Sequence, residues 1–262
     1  MAAVRVHREI TGPSDAPTVV LAGSLGSTHR MWDPQVEALS EHFRVVRYDA
    51  RGHGESPVPP GPYAIDDLAD DLVALLDDLD VERAHLVGLS LGGMTGMRVA
   101  VRNPERVDRL VVLCSSAHLP PEVWLERAAT VRADGVASIA ESIVDRWFTP
   151  GFSQAHPDVR RAHVDMVAAT PSAGYASCCD AIAAMDQRAD LASIGAPTLA
   201  IAGQYPNMTF LDYTDGICND TYCPAVVGNI VVYRDFHHLT ATYIRSLIPA
   251  LEGDLQRSLR WW

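Results

Sequence analysis

Seven short apolar runs separated by helical patterns constrain the fold of this 262-residue chain more than any other feature. They cover residues 4–10, 18–22, 43–48, 85–88, 110–114, 198–202 and 230–233. Rich in Val and Leu and bounded by Gly, Pro or Asp, they have the pattern of strands buried on both faces. The clearest helix covers residues 66–79, where Leu68, Leu72, Leu75, Leu76 and Leu79 form one apolar stripe. Its other face carries Asp67, Asp70, Asp71, Asp77 and Asp78, and is expected to be solvated. Alternating strands and helices predict an α/β fold with a mostly parallel sheet covered by helices on both faces.

The strand pattern stops between residues 120 and 190. Helical patterns replace it, anchored by Trp124, Trp147, Phe148 and Tyr175. This predicts a helical cap inserted after the sixth strand. The expected organisation is a core over 1–119, a cap over 120–190 and a return to the core over 191–262. Composition shifts inside the last part: residues 1–203 hold 31 alanines, residues 204–262 only three.

The formal net charge is −12, which argues against sequence-independent nucleic-acid binding. All 21 basic residues are arginine, so Schiff-base lysine and P-loop lysine chemistry are both excluded. No apolar run reaches the roughly 20 residues of a membrane span, and no membrane partner and a cytoplasmic location are expected. The five cysteines are too scattered for a disulfide framework. Cys114, Cys178 and Cys179 have the setting of small buried hydrophobes. Cys218 and Cys223 form a single C-x4-C pair, too little for a zinc site, and in a cytoplasmic chain their thiols stay reduced. No metal or cofactor is expected.

The strongest chemical signal is Gly88-Leu89-Ser90-Leu91-Gly92, placed after one apolar run and before a helix reaching about Arg102. G-x-S-x-G in that context is a nucleophile elbow: glycines permit a tight turn that lifts the Ser90 hydroxyl out of the sheet. Gly23-Ser24-Leu25-Gly26 occupies the place of the loop that donates one oxyanion N–H, the other coming from the residue after the nucleophile. The expected donors are the backbone amides of Leu25 and Leu91. In the loop from Asp49 to Ser56, Arg51 and Asp49 are expected to brace the turns, with His53 structural rather than catalytic.

Residues 1–203 resemble the α/β-hydrolase family, and within it the 3-oxoadipate enol-lactonases. The resemblance is carried by AGSLGSTHRMWDPQ, RYDARGHGES, ERAHLVGLSLGGMTG, RWFTPGF, TPSAGYASCCDAI and APTLAIAG. It implies hydrolysis of an enol-lactone ring in a small dicarboxylate through a Ser-Asp-His triad, with no cofactor. The family usually starts with a further short strand, missing or cut short here. Where the family carries its triad acid, this chain has Pro206. Residues 204–262 instead resemble the end of the SGNH-type domain appended to membrane acyltransferases, through CNDTYCPAVVGNIVVYRDFHHLTATY. The chain therefore resembles a splice of two hydrolase families near 203–204.

Both resemblances select His238 over His237 as the general base, followed by a helix over about 240–255. The SGNH-type resemblance implies Asp235 as the acid, with Asp212, Asp215 and Asp220 as alternatives nearer the usual position in chain order. An anionic substrate needs local arginines, of which Arg127, Arg132, Arg146 and Arg188 are available. Trp124 and Trp147 are candidates for the substrate pocket wall as well as for core packing. The expected partner is a small-molecule lactone or ester. Two alternatives stand beside it: a broader carboxylesterase or lactonase on the same scaffold, and a folded but inactive chain with an incomplete triad.

Overall fold

The computed structural model describes residues 1–202 and, as backbone, residues 226–227 and 230–234. One sheet of eight strands runs through it: β1 (Arg8–Thr11), β2 (Thr18–Ala22), β3 (Arg44–Tyr48), β4 (Ala84–Leu89), β5 (Val107–Leu113), β6 (Thr198–Ala202), β7 (Val226–Val227) and β8 (Ile230–Arg234). Their spatial order is β1-β3-β2-β4-β5-β6-β8-β7. The six inner strands are parallel; β1 and β7 close the edges antiparallel.

Adjacent residues of a strand point to opposite faces, and here both faces are covered. Val19, Leu21, Val45, Val87 and Val111 pack with Trp32, Phe43 and Leu39 of the segment containing α1 (Asp33–Ser40). Their neighbours Val20, Val46, Leu86 and Leu110 pack on the other side. There they meet Leu72, Leu75 and Leu76 of α2 (Ile65–Asp78) and Met97, Val99 and Ala100 of α3 (Leu91–Arg102). Leu72 and Leu76 are fully buried, each worth about 1.5–3 kcal/mol. Tertiary packing of this stripe, more than intrinsic propensity, holds α2 in place.

The acidic face of α2 departs from expectation. Asp67 and Asp71 are buried, at 5% and 1% exposure, because two other segments cross that face. The chain start binds there: the Met1 amine meets Asp67, and the Val4 N–H donates to Asp71 Oδ1 at 2.7 Å. The fully buried Arg51 forks onto Asp71, Nε to Oδ2 at 2.5 Å and Nη2 to Oδ1 at 2.6 Å. Asp70, Asp77 and Asp78 stay accessible and pair with Arg102, Arg106 and Arg5. The same contact with α2 explains why the run over 4–10 pairs as a strand only from Arg8: Val4 is bonded to a side chain of α2 instead of a neighbouring strand.

Five helices lie between β5 and β6: α4 (Pro121–Asp134), α5 (Ala140–Val144), α6 (Pro150–Ala155), α7 (Pro157–Ala168) and α8 (Ser172–Ala184). They follow the fifth strand, not a sixth, because the family's extra first strand is not among the described strands ahead of β1. Cys178 and Cys179 are fully buried in α8, as expected. Cys114 is only half-buried, since β5 has ended and its backbone turns through φ +43°. Among the described residues no helix is long and apolar enough to cross a membrane.

Removing one partner of a buried ion pair costs about 3–5 kcal/mol, because the other charge is left without compensation. Asp71→Asn is therefore expected to lower the unfolding free energy by about that much in urea titration. Asp77→Asn, on an accessible pair, should change it by under about 0.5 kcal/mol.

Candidate active site

Strand β4 ends at Leu89 and α3 begins at Leu91, so Ser90 makes the turn alone. Its backbone sits at φ 53° and ψ −113°, a conformation that costs a non-glycine residue about 1–3 kcal/mol. Two glycines make the turn possible. A β-carbon on Gly88 would lie 2.2 Å from the Gly92 carbonyl oxygen, and one on Gly92 would lie 2.2 Å from that of Ala22. Hydrogen bonds then hold the strained residue. The Ser90 N–H donates to the Leu113 carbonyl at 2.9 Å, and the Ser90 carbonyl accepts from the Ser115 hydroxyl at 2.7 Å.

The elbow is bonded directly to the loop after β2: the Gly92 N–H donates to the Gly23 carbonyl at 3.0 Å. Leu91, as first residue of α3, has no acceptor for its N–H inside the helix. In the facing loop, Ser24 donates its N–H to Met31 Sδ, Gly26 to His53 Nε2 and Ser27 to the Ser24 carbonyl. Among the described residues no acceptor meets the N–H of Leu25. Both leucine side chains are buried, which anchors the two amides beside the helix N-terminus, where negative charge is favoured.

His53 is structural. Its Nδ1–H donates to the Arg51 carbonyl at 3.1 Å, leaving Nε2 to accept the Gly26 N–H at 2.9 Å. Burial pushes the imidazole below its ordinary value, against the opposite pull of the Arg51 carbonyl and Asp49, so the neutral ring is held. Asp49 braces the same loop. Burial alone would raise its carboxyl, but the amides of Glu55 and His29 and the His29 ring hold it below the ordinary carboxylate range. His7, His29 and Asp49 are a group with metal-ligating atoms within 4.8 Å of one another. The Asp49 oxygens already accept from both rings and from two amides.

The helices between β5 and β6 pack onto the elbow. Leu25, Leu91 and Met94 share one apolar cluster with Ala128, Val131, Tyr175 and Ile182. Trp124 and Trp147 lie half-buried against that cluster. Ser90, Leu25 and Leu91 are thus brought together, and both tryptophans pack against the cluster that holds the two leucines. His238, Asp235, Asp212, Asp215, Asp220, Pro206, Cys218, Cys223 and the helix over about 240–255 lie outside the described residues. The backbone of β8 does lie beside β6, and the ladder sets Leu89, Leu113, Ile201 and Tyr233 in one row. The strand preceding Asp235 therefore ends at the same edge of the sheet as the one preceding Ser90.

Two supports had no signal in the sequence. Ser115 binds the Ser90 carbonyl from 25 residues away, and the Tyr175 ring covers Gly26. Both depend on how separate strands and helices meet. The role of His53 was partly legible, since its glycine-rich loop needs a brace.

The model of the α/β-hydrolase fold family matches residues 17–141, and that of the SGNH domain fused to AT3 domains matches 153–253. The chain is 40% identical over 203 residues to 3-oxoadipate enol-lactonase 2 of Acinetobacter baylyi, covering 77% of this chain and 76% of the relative. Among solved structures, the enol-lactonase of Burkholderia xenovorans LB400 superposes with a TM-score of 0.85 at 34% identity, over 97% of this chain and 99% of that one. A malate-bound thermophilic esterase from Thermogutta terrifontis gives 0.82 at 27% identity, over 96% and 93%.

Because the folded state resists protonating His53, the unfolded chain takes up a proton there first as pH falls. The stability His53 contributes is full above its unfolded value of about 6.5 and is lost below it. Urea titrations at pH 7.5 and 5.5 should show a smaller acid-side loss in His53→Gln than in the parent. At pH 7.5 the variant should be weaker by about 1–3 kcal/mol, from the disturbed Gly26 N–H.

Proposed function

Since the chain belongs to the α/β-hydrolase family, we propose that it is a serine hydrolase that opens an enol-lactone ring, as its similarity to 3-oxoadipate enol-lactonases suggests. The observation that carries this reading is the strained Ser90 turn bonded, through Gly92 and Gly23, to a loop with an available amide at Leu25. In the proposed mechanism His238 takes the Ser90 proton as the hydroxyl oxygen attacks the lactone carbonyl carbon. The Leu25 and Leu91 amides donate to the oxyanion, an arrangement worth on the order of 3 kcal/mol per donor. The ring C–O bond breaks, and the departing enol oxygen takes the proton back from His238. Water then gives a proton to His238, attacks the acyl carbon and releases the acid, returning the proton to Ser90. Asp235 is the proposed orienting acid.

The helical segment over 120–190 is proposed as the cap that closes the pocket, with Trp124 and Trp147 on its wall and the core contributed by 1–119 and 191–262. The similarity to the esterase from Thermogutta terrifontis favours a second reading, a broader carboxylesterase on the same scaffold.

Hydrolysis of 3-oxoadipate enol-lactone and of p-nitrophenyl acetate, each with a Ser90→Ala control, tests both. The expected result is ring opening faster than ester cleavage, with kcat down by at least about 10³-fold in Ser90→Ala. Comparable or better ester turnover moves the assignment to the carboxylesterase, and activity that survives Ser90→Ala removes both. His238→Ala should lower kcat by a similar factor and His237→Ala by less than about tenfold; the reverse order would refute the base assignment.

A further inference from the structure

We propose that His7, His29 and Asp49 bind one zinc-like divalent ion that ties together the chain start, the loop after β2 and the loop after β3. This goes beyond the hydrolase reading and does not depend on Ser90.

The three residues come from segments far apart in sequence, so the chain itself shows no ligand spacing. Folding brings one potential ligand atom of each within 4.8 Å of the other two. The two imidazole rings have their centres 5.1 Å apart and are tilted by 55°. His7 Nδ1 is 3.1 Å from Asp49 Oδ2, and His29 Nδ1 is 2.9 Å from Asp49 Oδ1. Ligand atoms around a tetrahedral zinc, bonded at about 2.0–2.2 Å, are about 3.3–3.6 Å apart, so an ion fits with ring shifts of under about 1 Å. Asp49 serves without losing its backbone bonds. An ionised carboxylate has about four acceptor positions, and the amides of His29 and Glu55 occupy two.

The other ring nitrogens supply an independent sign. When Nδ1 holds the proton and donates to Asp49, each Nε2 is left with a lone pair and a glutamate close by. Glu9 Oε1 is 3.4 Å from His29 Nε2, and Glu55 Oε2 is 3.8 Å from His7 Nε2. Two electron-rich atoms repel, and the buried His29 Nε2 has no hydrogen-bond partner. An ion on the Nδ1 side removes the conflict. Each imidazole keeps its single proton but carries it on Nε2, facing the glutamate, while both Nδ1 lone pairs face the ion. Zinc-bound histidines commonly donate their other N–H to a carboxylate in this way. Arg47 Nη2 holds Glu9 from the other side at 2.5 Å. Two imidazoles and one carboxylate suit zinc better than magnesium or calcium, which take sets of oxygens. His29 and Asp49 are buried, whereas the His7 side chain is 28% exposed, which gives the ion an entry from solvent.

The position gives the ion a task. The Ser56 hydroxyl donates to the Asp49 carbonyl and accepts from the His7 N–H, and His53 of the same loop accepts the Gly26 N–H. Binding here tightens both loops that set the Leu25 amide.

The test uses the full-length, tag-free chain after treatment with a chelator and dialysis. Calorimetry should show one equivalent of zinc bound. Zinc at about ten times its Kd should raise the thermal midpoint by about 3–6 °C, and magnesium and calcium should not. His7→Ala should weaken zinc binding by at least about tenfold. Glu9→Ala, which leaves all three ligands in place, should weaken it by about tenfold and keeps the test open if His7→Ala folds poorly. Urea midpoints without metal report the folding of each variant. Cobalt should bind in place of zinc with visible ligand-field bands and no thiolate charge-transfer band. Cys218→Ser with Cys223→Ser should leave binding unchanged. Hydrogen exchange at the amides of residues 24–29 should slow with zinc in the parent and not in His7→Ala. Zinc binding that is absent, that survives His7→Ala and Glu9→Ala unchanged, or that is lost with the two cysteines would overturn the assignment and leave the cluster a hydrogen-bonded brace.

Discussion

The Ala22 carbonyl and Gly92 approach so closely that no side chain fits between the end of β2 and the first turn of α3. This contact governs the molecule's chemistry. It presses the helix against β2, holds Ser90, between β4 and α3, at a positive φ, and brings the Gly92 N–H onto the Gly23 carbonyl. With that bond made, the loop after β2 and the helix start behave as one piece. The amides of Leu25 and Leu91 are then set by backbone geometry and by two buried leucines, with no contribution from a flexible polar side chain.

A second layer of polar groups keeps the piece in place. His53 takes the Gly26 amide, Asp49 takes the amides of His29 and Glu55, and Arg51 connects their loop to Asp71 on α2. Each is a charged or titratable residue inside the protein, and each has its polar partners nearby. Acids and arginines of the surface pair with one another in the same way.

Periodicity made much of this legible. The strands at Thr18–Ala22 and Thr198–Ala202 and the leucine stripe of α2 follow from local pattern alone, because each buries what its own sequence presents. The Ser90 turn was readable because glycine at both flanking positions has few other uses. Asp67 and Asp71 were misread for a physical reason: a helix period distinguishes an apolar face from a polar one, but it carries no information about which distant segment will cross the polar one. Arg51 and the chain start are 16 or more residues away from the acids they meet. Ser115 and Tyr175 were invisible for the same reason, since their roles exist only once β4, β5 and α8 are side by side.

The pairing of β8 with β6 has an evolutionary consequence. A parallel ladder is made by main-chain atoms, so the berth beside β6 selects for length, direction and β-propensity while leaving side-chain identity loosely specified. Such a berth can be filled by unrelated carboxy-terminal sequences without rebuilding the scaffold next to it. A carboxy-terminal strand can thus join the sheet there through its main chain while the Ser90 turn, built on other strands, is left as it is.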